Sequence, residues 1–300
     1  MRKSDTLVTT QVVTARSAAI MVLLIVAAGG CNLTPAMERL SEARHLSADL
    51  LIQFTKAADA ANRAVMADTD ERSIAFANEA EQSKQAVQKD TDGLKPILQS
   101  LGYSEEVRAL EEFSTRFAEY RNLDRTILEL AVENTNLKAQ RLSFGPGREA
   151  ADSFRNALEK VVPLDASRDT WRIKALAATA VLSVREVQVL QSPHIAETDD
   201  AAMTRMEKEM VTSEAAARSA LETIAPLMQP ASRPQLTTAS AALDRFIGVN
   251  AQIMALSRRN TNVRSLALSL NQKGKLTAAC EQSLYALRDA LAKRGFAGTR

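Results

Sequence analysis

The sequence predicts an all-α fold of two tandem, up-down four-helix-bundle-like repeats. Three observations predict it. Gly (10) and Pro (8) are scarce and aromatics are only 4% in 300 residues, a balance that favours long helices over strands. Apolar residues recur at three-four spacing over long stretches. The second half of the chain also repeats features of the first at a constant offset of about 126 residues.

The N-terminus reads as an address. Arg2, Lys3 and Arg16 precede an uncharged apolar run from Ser17 to Gly30, which ends Ala27-Ala28-Gly29-Gly30 and is followed at once by Cys31. A membrane-spanning helix needs about 20 residues, so this run has the length of a signal-peptide core. Small residues directly before a cysteine resemble the bacterial lipoprotein signal, with Ala28 where Leu is commonest. That resemblance implies a signal peptide over 1–30 and a lipid attached at Cys31, with 31–35 as tether. Several acyl chains give stable anchoring. An uncleaved anchor and an ordinary secretory peptide are the other readings.

The body follows in order. A first helix begins after Pro35, with Leu40, Ala43, Leu50, Phe54, Ala57, Ala61 and Ala64 on one face. Asp68-Thr69-Asp70-Glu71 supplies a turn and an acidic start for a second helix, which runs to about Leu98. Ser100-Leu-Gly-Tyr-Ser104 breaks the chain before a third helix. Asn134-Thr135-Asn136-Leu137-Lys138 then recurs as Asn260-Thr261-Asn262-Val263-Arg264. Around it Leu110, Phe117, Tyr120 and Ile127 correspond to Leu236, Leu243, Phe246 and Ile253. With small gaps, Asp68–Glu71 corresponds to Glu197–Asp200 and Leu94–Leu98 to Ile224–Met228. The expected organisation is repeat 1 over 36–162, a linker over 163–167, repeat 2 over 168–294 and a tail over 295–300. Two packings stay open: stacked bundles, or one elongated bundle in which helices run through both copies.

Composition and motifs exclude several function classes. Removing residues 1–30 takes Arg2, Lys3 and Arg16 from the 38 basic residues and Asp5 from the 36 acidic ones, leaving 35 of each. Such a surface lacks the basic stripe that nucleic acid requires. No HExxH, GxSxG, P-loop or GxGxxG motif is present, and His45 and His194 carry no partnered Ser, Cys or Asp pattern. No enzyme, cofactor or metal is expected. The acidic clusters at 68–71 and 197–200 lack the glycine and the final glutamate of a calcium loop and read as helix starts. Cys280 reads as a buried free thiol, and Trp171 as a seal between the copies. The candidate ligand-binding residues are Asn134, Thr135, Asn136, Asn260, Thr261 and Asn262. Their amides and hydroxyls suit a polar pocket at a bundle end, and equally suit helix caps and turns.

Glu111-Glu-Phe-Ser-Thr-Arg-Phe-Ala-Glu-Tyr-Arg121, Ile127–Ala131, Asn134-Thr-Asn136, Ala139, Leu142 and Gly145-Pro-Gly147 together resemble the four-helix-bundle sensor domain of bacterial methyl-accepting chemotaxis receptors. In that family a long third helix ends in a turn, and a short helical piece and a second break precede the fourth helix. The resemblance is best over 70–160 and recurs over 200–294. Arg44, Arg63 and Arg72 do not match the family's ligand-clamping arginine spacing, so no ligand residue is carried over. After Arg294 only six residues follow, so no second membrane span or signalling rod is expected. The resemblance implies an extracytoplasmic sensor or binding module for a small-molecule ligand or a membrane receptor partner, and a homodimer; the lipoprotein-type signal adds attachment to the membrane through Cys31. The alternative is a non-catalytic envelope scaffold acting through protein partners.

Overall fold

The computed structural model describes residues 33–162 and 167–294. The signal segment, Cys31, residues 163–166 and the tail lie outside the described residues. All regular structure described is helical: α1 (Leu33–Val65), α2 (Asp70–Ser100), α3 (Ser104–Glu133), α4 (Thr135–Leu142), α5 (Arg148–Val161), α6 (Arg168–Ala196), α7 (Asp200–Ile224), α8 (Arg233–Arg259), α9 (Thr261–Leu268) and α10 (Gly274–Lys293). One π-helical turn, Ser143–Gly147, joins α4 to α5, and another, Ser269–Lys273, joins α9 to α10. The bounds of α9 and of its π turn are those of α4 and its turn shifted by 126.

Local chemistry sets the breaks. Gly102, at φ 71°, takes the left-handed conformation between α2 and α3, which costs glycine nothing. Thr69 Oγ1 accepts the Arg72 N–H at the start of α2. The Asp199 carboxylate accepts from Ala201 N and Ala202 N at the start of α7. Among the described residues, Asn134 and Asn260 alone of the non-glycines have positive φ, both 52°, and they end α3 and α8. Asn is among the few side chains that tolerate this region. α1 starts at Leu33, two residues before Pro35, because proline fits the first helical turn as well as a position before it.

The described helices form two compact units. The first comprises residues 33–60, 79–122 and 274–294; the second comprises 61–78, 123–162 and 167–273. In the first unit Leu50, Phe54, Leu94, Leu110, Phe113, Leu284 and Leu287 share one buried cluster, so α1, α2, α3 and α10 make a four-helix bundle. Phe54 meets Phe113, Phe117 and Tyr120 edge-on at 5.2–6.1 Å between ring centroids. Arg44 caps the C-terminus of α10 through the Leu291 and Arg294 carbonyls. In the second unit Phe154, Leu158, Ile173, Val187, Met210, Leu221 and Phe246 share a cluster built from α5, α6, α7 and α8.

The packed units therefore do not follow the repeat boundaries. The segments 36–162 and 168–294 each contribute three helices to one bundle and the last helix to the other. The linker expected at 163–167 lies outside the described residues except for Ser167. The apolar faces of α5 and α10 occupy corresponding positions in sequence, and each packs into a cradle of three helices from the other segment. Trp171 does not seal a junction: it is 64% exposed, with the Lys174 ammonium 4.8 Å from its ring.

Candidate functional site

Within the second unit the two Asn-Thr-Asn segments meet each other. Thr135 N donates to Thr261 Oγ1 at 3.0 Å, and Thr261 N donates to Thr135 Oγ1 at 3.1 Å. Asn136 N donates to Asn262 Oδ1, and Asn262 N to Asn136 Oδ1. Asn136 Nδ2 donates to Asn260 Oδ1, and Asn262 Nδ2 to Asn134 Oδ1. Every one of these bonds has its mirror, so a local two-fold relation links the segments. The first N–H groups of a helix have no partner within it and need an outside acceptor. Here the hydroxyl and amide that cap α4 come from α9, and those that cap α9 come from α4. All six candidate ligand residues are thus brought together, and their polar groups are largely engaged with one another. The mirror fails at two places. Asn260 Nδ2 donates to the Glu197 carbonyl at 2.7 Å, whereas the buried Asn134 Nδ2 has no partner among the described residues, and Asn136 Nδ2 also donates to the Ile195 carbonyl at 2.7 Å, a bond with no counterpart at Asn262 among them.

A polar layer flanks this crossing on each side. On one side Lys273 closes an ion pair with Asp124 at 3.1 Å and donates to Asn62 Oδ1 at 3.2 Å, while Ser269 Oγ donates to the same oxygen. Lys273 and Asp124 are 2% and 0% exposed. On the other side Asn250 Oδ1 accepts from Gln191 Nε2 at 2.9 Å, and Ser143 Oγ donates to Gln191 Oε1 at 2.6 Å. Asn250 Nδ2 donates outward to Glu214 Oε1 at 3.0 Å. Ser143 and Ser269 are 126 apart, as are Asp124 and Asn250, and Gly147 and Lys273.

His194 is fully buried between Ser257 Oγ at Nδ1, 2.8 Å, and Glu207 Oε1 at Nε2, 3.0 Å. The residue types resemble a hydrolytic triad, but the arrangement is unsuited to attack. Ser257 is itself buried, and the acid sits on Nε2, where a catalytic serine belongs. A neutral ring satisfies both partners by donating from Nε2 to Glu207 and accepting from Ser257 at Nδ1. Burial pushes the imidazole below its ordinary range, and the Glu207 carboxylate offsets this only in part. Glu207 is held below the usual carboxylate range chiefly by Arg258, whose Nε and Nη2 each approach it at 2.7 Å.

The model of the family described as a four helix bundle sensory module for signal transduction matches residues 17–168. The chain belongs to this family. In chemotaxis receptors this family is the sensory module, and there it is extracytoplasmic. The matched span supplies α1 to α5, so the helix that ends the module packs with α6, α7 and α8, and α10 completes the bundle of α1, α2 and α3. No curated protein and no solved structure gives a match. Among the described residues no helix is long and apolar enough to cross a membrane.

Three grooves run along the helices of the second unit, lined mostly by residues beyond the matched span. A groove of about 460 Å³ between α7 and α8 is lined by Glu207, Met210, Glu214, Asn250, Met254 and Arg258. A second, of about the same volume, runs between α5 and α6 along Leu158, Ala177 and Val181, and a third, of about 510 Å³, lies beside Leu182 and Val189. The acidic clusters are spent on caps and ion pairs: Asp68 holds Arg72 at 2.8 Å, Asp70 holds Arg141 at 3.3 Å, and Asp200 holds Arg258 at 3.2 Å. Cys280 is buried and free, its thiol pushed up to about 12 by desolvation. Sequence reasoning missed the groove residues, yet a signal existed. Asn250 and Ser257 interrupt the buried stripe of Phe246 and Ile253 at the stripe's own spacing, as Asp124 interrupts that of Tyr120 and Ile127.

Proposed function

We propose that this chain is a lipid-anchored extracytoplasmic sensor that binds a small molecule in its helical body and passes the bound state on by contact with a membrane receptor partner. The observation that carries the reading is the family membership, which supports a chemoreceptor-like sensor domain over residues 17–168. The reciprocal cap supports it. It ties two segments of the body together through buried hydrogen bonds, so a change at one segment must be accommodated by the other. The lipid anchor rests on the residues around Cys31, and the body acts without catalysis.

One preparation tests both parts. The full chain, expressed in a bacterium, should fractionate with membranes, and Cys31→Ala should release it. A thermal-shift screen of the released protein against amino acids, organic acids, amines and other metabolites should give a saturable rise in Tm for at least one class. Silence across the screen sinks the sensor reading in favour of a scaffold. Membrane retention of Cys31→Ala sinks the lipid anchor.

A further inference from the structure

We propose that the groove between α7 and α8 binds a small organic cation, with the Glu214 carboxylate taking the cationic head and the methionine-lined walls taking an apolar body. This rests on the sensor reading and names the ligand class for one site within it.

The first support is charge. The groove carries two carboxylates and one guanidinium. Glu207 is neutralised by Arg258 in a two-point pair and also meets His194, so its oxygens are occupied. Glu214 accepts only the neutral Asn250 amide, and no cation stands within ion-pair distance of it among the described residues. Arg218, one helical turn further along α7, is held by Asp244 at 2.7 Å. Within the lining Glu214 is left without an ion-pair partner among Met210, Ile247 and Met254, and only the more distant Arg218, itself held by Asp244, offsets its charge. Burial pushes the Glu214 carboxyl above its ordinary range, and the Asn250 amide and the Arg218 charge offset this only in part. An arriving ammonium supplies that partner, and its hydrocarbon covers apolar wall.

The second support is preorganisation. Asn250 is 3% exposed and its carbonyl oxygen is engaged by Gln191, whose own oxygen is engaged by Ser143. Its Nδ2 is thereby aimed at Glu214, and the carboxylate is fixed before a ligand arrives.

The third support is internal. At the corresponding level of the other side, the chain inserts its own ammonium: Lys273 sits 3.1 Å from Asp124 and 3.2 Å from Asn62. Its counterpart in the sequence is Gly147 and that of Asp124 is Asn250, so neither charge of the pair recurs in the layer that leads to Glu214. One layer is closed by a lysine, and the other is left with an acid facing a groove.

The probes are three six-carbon compounds titrated calorimetrically into the full chain: hexylammonium, neutral hexanol and hexanoate. Hexylammonium should bind saturably and at least tenfold more tightly than the other two. Glu214→Gln should weaken it at least tenfold while leaving Tm unchanged or raised, because the variant removes a desolvated charge. If Glu214→Gln does not fold, Ala255→Trp, built at an exposed groove position, should abolish binding by filling the space. No binding of hexylammonium, equal binding of hexanoate, unchanged affinity in a folded Glu214→Gln, or unchanged affinity in Ala255→Trp overturns the proposal. In each of those cases the sensor reading survives if the metabolite screen finds a ligand of another class, and falls only if that screen is silent.

Discussion

Around Asp124 the second unit buries an ion pair, and around Asn250 it buries amides. The backbone is the same at both places: a long helix ending in a left-handed asparagine, an eight-residue helix and a π turn. One level along, the pattern reverses. Val65 and Ala131 pack in an apolar cluster with Ile127, whereas the residues 129 and 126 further on are His194 and Ser257, joined by a hydrogen bond. The scaffold therefore fixes where polar groups are admitted to the core, and the side chains decide whether the layer is closed from within or left facing a groove. The lesson is that equivalent positions in matched segments need not have equivalent jobs. The ionic layer is self-sufficient, and the amide layer leads through Asn250 to a carboxylate that reaches the surface.

The largest effect should come from opening the ionic layer. Lys273→Met leaves Asp124 charged and buried without its ammonium, and should cost about 3–5 kcal/mol in denaturant unfolding. Adding Asp124→Asn should recover most of that loss, because it turns the layer into the kind found around Asn250. If Lys273→Met alone is silent, the ion pair is not what closes this layer.

A smaller effect should separate the two sides by pH. The folded-state pKa of His194 is depressed from its ordinary 6.5, so the unfolded chain takes up a proton before the folded one does. Its contribution to stability is therefore present above pH 6.5 and is lost as pH falls through the lowered value. Melts between pH 7.5 and 5 should show Tm falling in that window, and His194→Gln should flatten the fall. An unchanged slope would place the pH dependence elsewhere. The protonated ring has an outlet, since Nδ1–H can donate to Ser257 once that hydroxyl turns to the His194 carbonyl, 2.9 Å away.

Much of this fold was legible in the sequence, for physical reasons. The stripe of Ala43, Leu50, Phe54, Ala57, Ala61 and Ala64 is buried as its spacing requires, and the breaks at Gly102 and the two asparagines fall where turn chemistry puts them. The partner of each final helix was not legible. An amphipathic pattern says which face of α5 or α10 is buried and nothing about which three helices bury it. Lys273 was read past because lysine is almost never buried unless paired, and its partner Asp124 lies 149 positions away. The Asn-Thr-Asn pair was conspicuous in the sequence as a recurrence. That the two copies cap each other was not, because composition and spacing carry no information on which acceptor an orphan N–H finds.

The reciprocal cap is the joint on which the rest depends, and a double-mutant cycle on its two hydroxyls tests it most directly. Thr135→Val and Thr261→Val should each cost about 1–2 kcal/mol, since each removes a cap oxygen from a buried helix start. The double variant should cost less than the sum, with a coupling of about 1 kcal/mol, because both hydroxyls serve one structure. Strict additivity would contradict the account and would mean that the two segments are capped independently.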